Sequence, residues 1–209
     1  MSGMTGGQAM PPVDESKAEA AVAAVMAADP GLSSVAAPTS SDASSATLRY
    51  QDVEAELDLE NGGRVVMGQV GRPGEAIGLE LQGSGGLEPA SIDPASGIAT
   101  YEAPEGDFTY VPVLRQDGTL QAHTVIDSAD APTRYEYTVE IPRWGVAWKP
   151  WGTSVLIFND GGRDGGVALL PRGRRMRWGN NVPTHYEIDG AVLTQVVEHR
   201  GGIGVPGHS

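Results

Sequence analysis

Arg134–Ile141 shows the sharpest alternation in the chain: Tyr135, Tyr137, Val139 and Ile141 share one side, while Arg134, Glu136, Thr138 and Glu140 share the other. A period of two sends successive side chains to opposite faces, so the segment reads as a strand with one buried and one solvated face. The same period runs through Ala46–Glu60, where Glu54, Glu56, Asp58 and Glu60 alternate with Val53, Ala55, Leu57 and Leu59. Asn61-Gly62-Gly63 then turns the chain into Arg64–Val70, a predicted hairpin. Ala76–Leu81 is a further short strand, followed by a Gly/Ser/Pro-rich loop over Gly83–Gly97.

Phe108–Leu114 and Leu120–Ile126 flank Asp117-Gly118, a second hairpin signal; Pro112 marks the first of them as an edge strand or a bulge. Val155–Phe158 and Val167–Leu170 flank a Gly-rich loop, and Asp189-Gly190 joins Thr184–Ile188 to Val192–Glu198. About ten strands follow one another with no intervening helices, the order of an antiparallel β-sandwich or an open barrel. The predicted core is Leu57, Leu59, Val66, Tyr101, Phe108, Tyr110, Leu120, Tyr135, Tyr137, Val139, Leu156, Phe158, Tyr186, Ile188, Leu193 and Val197.

One helical period precedes the strands. Asp14 or Ser16 is placed to cap a helix over 14–29, with Ala18, Val22, Val25 and Met26 as its apolar stripe. An Ala-rich helix of about 14 residues is marginal alone, so it is either docked or frayed. The expected organisation is a disordered leader over 1–13, the helix, a flexible linker over 30–46, a β-sandwich-like domain over 47–200 and a frayed tail over 201–209. Met4–Met10 resembles a short phage-capsid leader used as an expression tag, departing from it at Ala9.

Composition agrees with this class. Gly (29) and Pro (15) make up roughly a fifth of the 209 residues, too many for long helices or a coiled coil. No apolar run approaches the roughly 18 residues of a membrane span. The absence of Cys removes disulfides, Cys-ligated zinc and thiol catalysis together. The formal charge is −13, which argues against nucleic acid as partner.

That charge is unevenly spread. Between Arg143 and Trp178 stand seven bases (Arg143, Lys149, Arg163, Arg172, Arg174, Arg175, Arg177) against two acids, Asp160 and Asp164. The segment therefore carries +5 in a chain of −13, leaving −18 elsewhere. All four Trp lie in the same stretch: Trp144, Trp148, Trp151 and Trp178. Arg with Trp is the composition of interface anchors and of stacking platforms. The candidate partner-binding residues are Arg172, Arg174, Arg175, Arg177, Trp178, Trp144, Trp148 and Trp151. The competing reading puts the Trp into the core and the Arg on a solvated loop.

Other chemistry is thin. Asn159, Asp160 and Asp164 supply oxygen ligands, but not at EF-hand spacing, and turn chemistry explains Asp160-Gly-Gly equally well. His185 and Glu187 share a strand face, with His123 or His199 as a third ligand only if a neighbouring strand brings one near. Gly202–Gly207 matches a dinucleotide fingerprint in letters but lacks the following helix. No nucleophile elbow, zincin motif or P-loop is present, so no catalytic residue, metal ligand or cofactor is assigned. The acids of Glu54–Glu60 read as solubility and edge protection.

Two long stretches carry a resemblance. Val125-Ile-Asp-Ser-Ala-Asp-Ala-Pro-Thr-Arg-Tyr135 and Val182-Pro-Thr-His-Tyr-Glu-Ile-Asp-Gly-Ala-Val-Leu-Thr-Gln-Val-Val-Glu-His199, with Gly97-Ile-Ala-Thr-Tyr101 before them, resemble a β domain that recurs in exported actinomycete proteins. The likeness covers Gly97–Arg200, and Leu48–Leu81 loosely. Two features depart from that pattern. Arg172–Trp178 replaces an acidic Pro-Pro-Trp-Ala segment, and the chain stops at Ser209 instead of continuing past the last strand. The resemblance implies an extracellular or wall-associated domain and brings no catalytic residues with it. The expected function is a non-enzymatic exported binding or scaffold module. Its partner would be an anionic wall polymer, an acidic protein or the acidic face of another copy. The alternative is a secreted hydrolase or metal-dependent enzyme whose site is assembled from separated strands.

Overall fold

The computed structural model describes residues 15–28, 38–42, 44–60, 62–82, 86–93, 96–116, 118–141, 146–151, 154–159, 167–169, 174–175 and 181–199. It is an antiparallel β-sandwich with one helix. The larger sheet contains β1 (Pro38–Ser41), β2 (Ser45–Tyr50), β3 (Val53–Asp58), β4 (Val65–Gln69), β5 (Ile77–Gln82), β10 (Arg134–Glu140), β16 (Thr184–Asp189) and β17 (Val192–Val197). Their spatial order is β1-β2-β3-β4-β5-β10-β17-β16. The smaller sheet runs in chain order through β6 (Ser91–Ile92), β7 (Ala99–Glu102), β8 (Phe108–Leu114) and β9 (Leu120–Ile126). The sheets do not close on each other, so the open-barrel alternative is dropped.

The core lies between the two sheets. Leu57, Val65, Leu79, Tyr137 and Leu193 of the larger sheet meet Tyr101, Tyr110, Leu114 and Ile126 of the smaller one. Four buried tyrosines give this interior an aromatic spine, with Tyr110 set 5.9 Å from Tyr101 and 6.2 Å from Tyr137 between ring centroids. Burial pushes the Tyr101 phenol pKa up, and its hydroxyl donates to the Asp58 carbonyl at 2.9 Å, so the buried O–H is satisfied.

Helix α1 (Glu15–Ala28) forms a third layer. Ala21, Val22 and Val25 pack on Ile98, Val111, Val113 and Val125, the outward side of the smaller sheet. Fully burying a Val contributes about 1.5–3 kcal/mol. This docking supplies the stability that a short Ala-rich helix lacks. Lys17 fixes the first turn: its ammonium donates to the Glu102 carboxylate and, at 2.9 Å, to the Gly106 carbonyl, with Asp127 at 3.9 Å. The helix starts before Ser16, which rules that residue out as its cap. Met26, expected in the stripe, is 40% exposed, and Ala21 takes its place.

Four further expectations are corrected. Ala46–Glu60 is not one strand but the hairpin β2–β3, with Tyr50 opposite Val53 and Gln51 at φ 53° in the turn. Part of the expected linker, Pro38–Ser41, pairs with β2 as an edge strand. Val66 points away from the core because Val65 and Met67 stand opposite Leu57 and Ala55, which share the buried face. Tyr186 and Ile188 are only partly buried, against the core's rim, and Leu156 and Phe158 carry no described side chains.

Pro112 obeys the edge rule locally. Beyond Tyr110 the strand β8 has ladder partners on β9 alone, while Thr100 and Ala99 of β7 pair with β6. Asp127 N–H donates to Asp107 O and Arg115 N–H to Thr119 O, so the odd-numbered positions of β8 exchange bonds with β9. The nitrogen of Pro112 therefore faces the side where no strand asks for a donor.

Candidate functional site

The chain leaves the sandwich after β10 and rejoins it at β16, and β10 pairs directly with β17. The intervening stretch builds its own elements: β11 (Val146–Trp151), β12 (Ser154–Asn159) and β13 (Val167–Leu169) as a separate sheet, then β14 (Arg174–Arg175) paired with β15 (Asn181–Val182). The ladders of both sandwich sheets are complete without it. The basic, Trp-bearing segment is thus an excursion from the fold.

Of the eight candidate residues, four are on described strands. Trp148 stands opposite Ile157 and Trp151 opposite Ser154. Arg174 stands opposite Val182 and Arg175 opposite Asn181. Trp144, Arg172, Arg177 and Trp178 lie outside the described residues. β11 and β12 approach β16, the edge of the larger sheet, whereas β14 lies beside β9 and α1. The Trp-bearing and Arg-bearing strands therefore border two different edges of the sandwich. At the other side, β1 and the turn before β7 meet so closely that a Cβ at Gly97 would stand 2.6 Å from Pro38 Cδ.

His123 and His185 do not converge, since they stand on strands of different sheets. His123 is buried on β9, its Nε2 at 3.2 Å from Gln121 Oε1. His185 is half-exposed on β16, with Nε2 3.6 Å from Glu187 and Nδ1 3.9 Å from Glu198. Glu187 is already held by Arg134 at 2.5 Å, and this hydrogen bond keeps its carboxyl below the usual carboxylate range. Among the described residues no group of three or more His, Asp or Glu is placed to hold a metal ion. Asp160 and Asp164 fall outside them. The Glu54–Glu56 pair of β3 is exposed on the outer sheet face, where Arg49 stands opposite Glu54.

One concave feature escaped the sequence. A groove of about 620 Å³ opens between the ends of the two sheets, where the chain beyond β5 passes the β7–β8 turn and the start of β10. Leu81, Leu87, Phe108 and Tyr135 line its apolar part, the two rings packed edge to face with centroids 5.0 Å apart. Its polar rim carries Glu105, Asp107 and Glu136, against a single base, Arg134. Asp107 Oδ1 is buried without a hydrogen-bond partner. The volume is in the range of small-ligand pockets. The contributing stretches are widely separated in sequence.

Comparison with family models, with curated proteins and with solved structures gives no match for this chain. Among the described residues no helix is long and apolar enough to cross a membrane.

Proposed function

We propose that this protein is a non-enzymatic exported binding or scaffold module that contacts an anionic partner through the Arg/Trp segment. The carrying observation is the excursion between β10 and β16. It holds a +5 excess and all four Trp, and the sandwich ladder runs from β10 to β17 without it. A chain segment that the pairing does not need, carrying the residue types of interface anchors, is where a binding function sits on a scaffold. The likeness of Val125–Tyr135 and Val182–His199 to the exported actinomycete domain supports an extracellular or wall-associated setting and an anionic wall polymer or acidic protein as partner.

The test is a fourfold variant, Arg172→Ser, Arg174→Ser, Arg175→Ser and Arg177→Ser, compared with wild type for retention on an actinomycete wall fraction. Wild-type retention should fall steeply as salt rises, because the Debye length shrinks to about 3 Å at 1 M. The variant should elute at low salt with its Tm preserved, since exposed charges contribute only about 0–1 kcal/mol each. Equal retention of both proteins, or wild-type retention indifferent to salt, removes the segment from the binding role.

A further inference from the structure

We propose that the groove beside Phe108 and Tyr135 receives the Arg172–Trp178 segment of a second copy of this chain. The two surfaces are opposite in charge: the groove presents Glu105, Asp107 and Glu136, and the segment brings four arginines within six residues. Arg134, the one base among the lining residues, is tied to Glu187 at 2.5 Å and also feels Glu136, and one base leaves the three carboxylates in excess. Asp107 Oδ1 is a buried acceptor with no donor, and a guanidinium carries five N–H donors in a fixed fork suited to a carboxylate. Leu87 is half-buried and the Phe108 and Tyr135 rings are buried in the groove's wall, an apolar lining for an arginine stem or for the indole of Trp178.

The occupant is assigned to another molecule from the placement of Arg174–Arg175, the described part of the segment. Arg174–Arg175 sits beside β9 and α1. Neither of these elements lines the groove. The groove and the described part of the segment are therefore on different elements of one copy, and between copies they meet either reciprocally across a two-fold axis or head-to-tail in a ring or chain.

Three proteins and one peptide test this. The proteins are wild type, a groove variant (Glu105→Gln, Asp107→Asn, Glu136→Gln) and the fourfold Arg→Ser variant; the peptide spans residues 171–178. The peptide should bind wild type by fluorescence anisotropy, and the groove variant should bind it about tenfold or more weakly. By sedimentation, wild type should associate with concentration at low salt, into dimers or longer assemblies, and each variant alone should stay monomeric. Mixed together, the variants keep one intact surface of each kind and should form a complex of two that grows no further. The double variant Glu105→Gln with Glu136→Gln changes only exposed side chains, and an intermediate loss of peptide affinity there guards against misfolding of the triple. Wild type monomeric at every concentration, or peptide affinity unchanged by the groove substitutions, overturns the proposal. The groove variant should still be retained on the wall fraction, because that binding needs only the Arg/Trp segment; losing both together would instead point to a failure of the fold.

Discussion

The backbone of Gly63 lies on the ring of Tyr110: a Cβ at residue 63 would stand 3.0 Å from both Cδ1 and Cε1 of that ring and 3.2 Å from Cγ of Tyr101. Both tyrosines have no exposed surface, so neither ring has room to move. The turn is tied at its other side as well. Asp58 N–H donates to the Arg64 carbonyl at 2.9 Å, and the Asp58 carbonyl accepts from the Tyr101 hydroxyl. The β3–β4 hairpin is therefore clamped onto the aromatic spine of the sandwich, through a residue that must lack a side chain.

Gly62 and Gly63 separate the two costs of a side chain here. Both have positive φ, 70° and 68°, but a Cβ at Gly62 meets nothing within 4 Å. Gly62→Ala should therefore lose only the backbone strain, about 1–2 kcal/mol. Gly63→Ala should lose that and the tyrosine packing, about 3 kcal/mol or more in all. Paired chemical-denaturation curves measure the difference, and equal losses at the two sites would mean the ring contact contributes nothing.

Lys17 holds the helix to the sheet through partners 85 and 89 residues away, Glu102 and Gly106. Its side chain is 22% exposed, so the interaction is neither fully screened nor fully desolvated. Lys17→Met keeps much of the stem and removes the charge. Amide exchange over Glu15–Ala28 should speed up severalfold while the strand amides of Arg134–Glu140 stay protected. Uniform acceleration across the protein would show that the helix and the sandwich unfold as one unit.

The strands with one solvated face were legible because their alternation is unbroken: Arg134–Glu140 is exposed and buried in strict turn, as its sequence reads. What was hidden was the third layer. β8 is buried at every position and β9 at six of seven, the pattern of a sheet covered on both faces. In the sequence, Gln121 and His123 on the helix-facing side of β9 look solvated, and they mask that pattern. The β2–β3 turn was missed for a similar reason, since Gln51-Asp52 lacks the Gly or Asn that normally announces positive φ. The Arg/Trp segment was legible as composition, and the groove was not legible at all. Composition survives in one dimension, but a groove exists only once Leu81, Phe108 and Tyr135 are brought together.

Gln51 offers a stabilising substitution. It holds φ 53° at a two-residue turn, the region that a side chain strains and Gly enters freely. Gln51→Gly forfeits the side-chain bond to the Tyr50 hydroxyl at 3.0 Å, which is exposed and contributes little. The net gain should be about 0.5–1 kcal/mol, read as a raised Tm. A lowered Tm would mean that the loss of unfolded-state order outweighs the relieved strain.

Acid should weaken the larger sheet at both of its edges, and two carboxylates carry the effect. Asp42 Oδ1 accepts from the Ser44 and Ser45 backbone N–H groups, each at 2.8 Å, and those bonds hold its pKa below 3.8. They close the turn between β1 and β2, the first edge. Glu187 on β16, the last edge, is held below 4.5 first by its hydrogen bond from Arg134. A carboxyl with a depressed folded-state pKa favours folding above its unfolded pKa, and that contribution is lost as pH falls through the folded value. The window thus opens near the unfolded values, about 4, and extends below them. Tm measured from pH 6 down to pH 2.5 should drop more for wild type than for the variant Asp42→Ala with Glu187→Gln, so the gap between the two narrows toward the acid end. Parallel curves would show that other carboxylates govern acid unfolding and that neither edge contact is coupled to it.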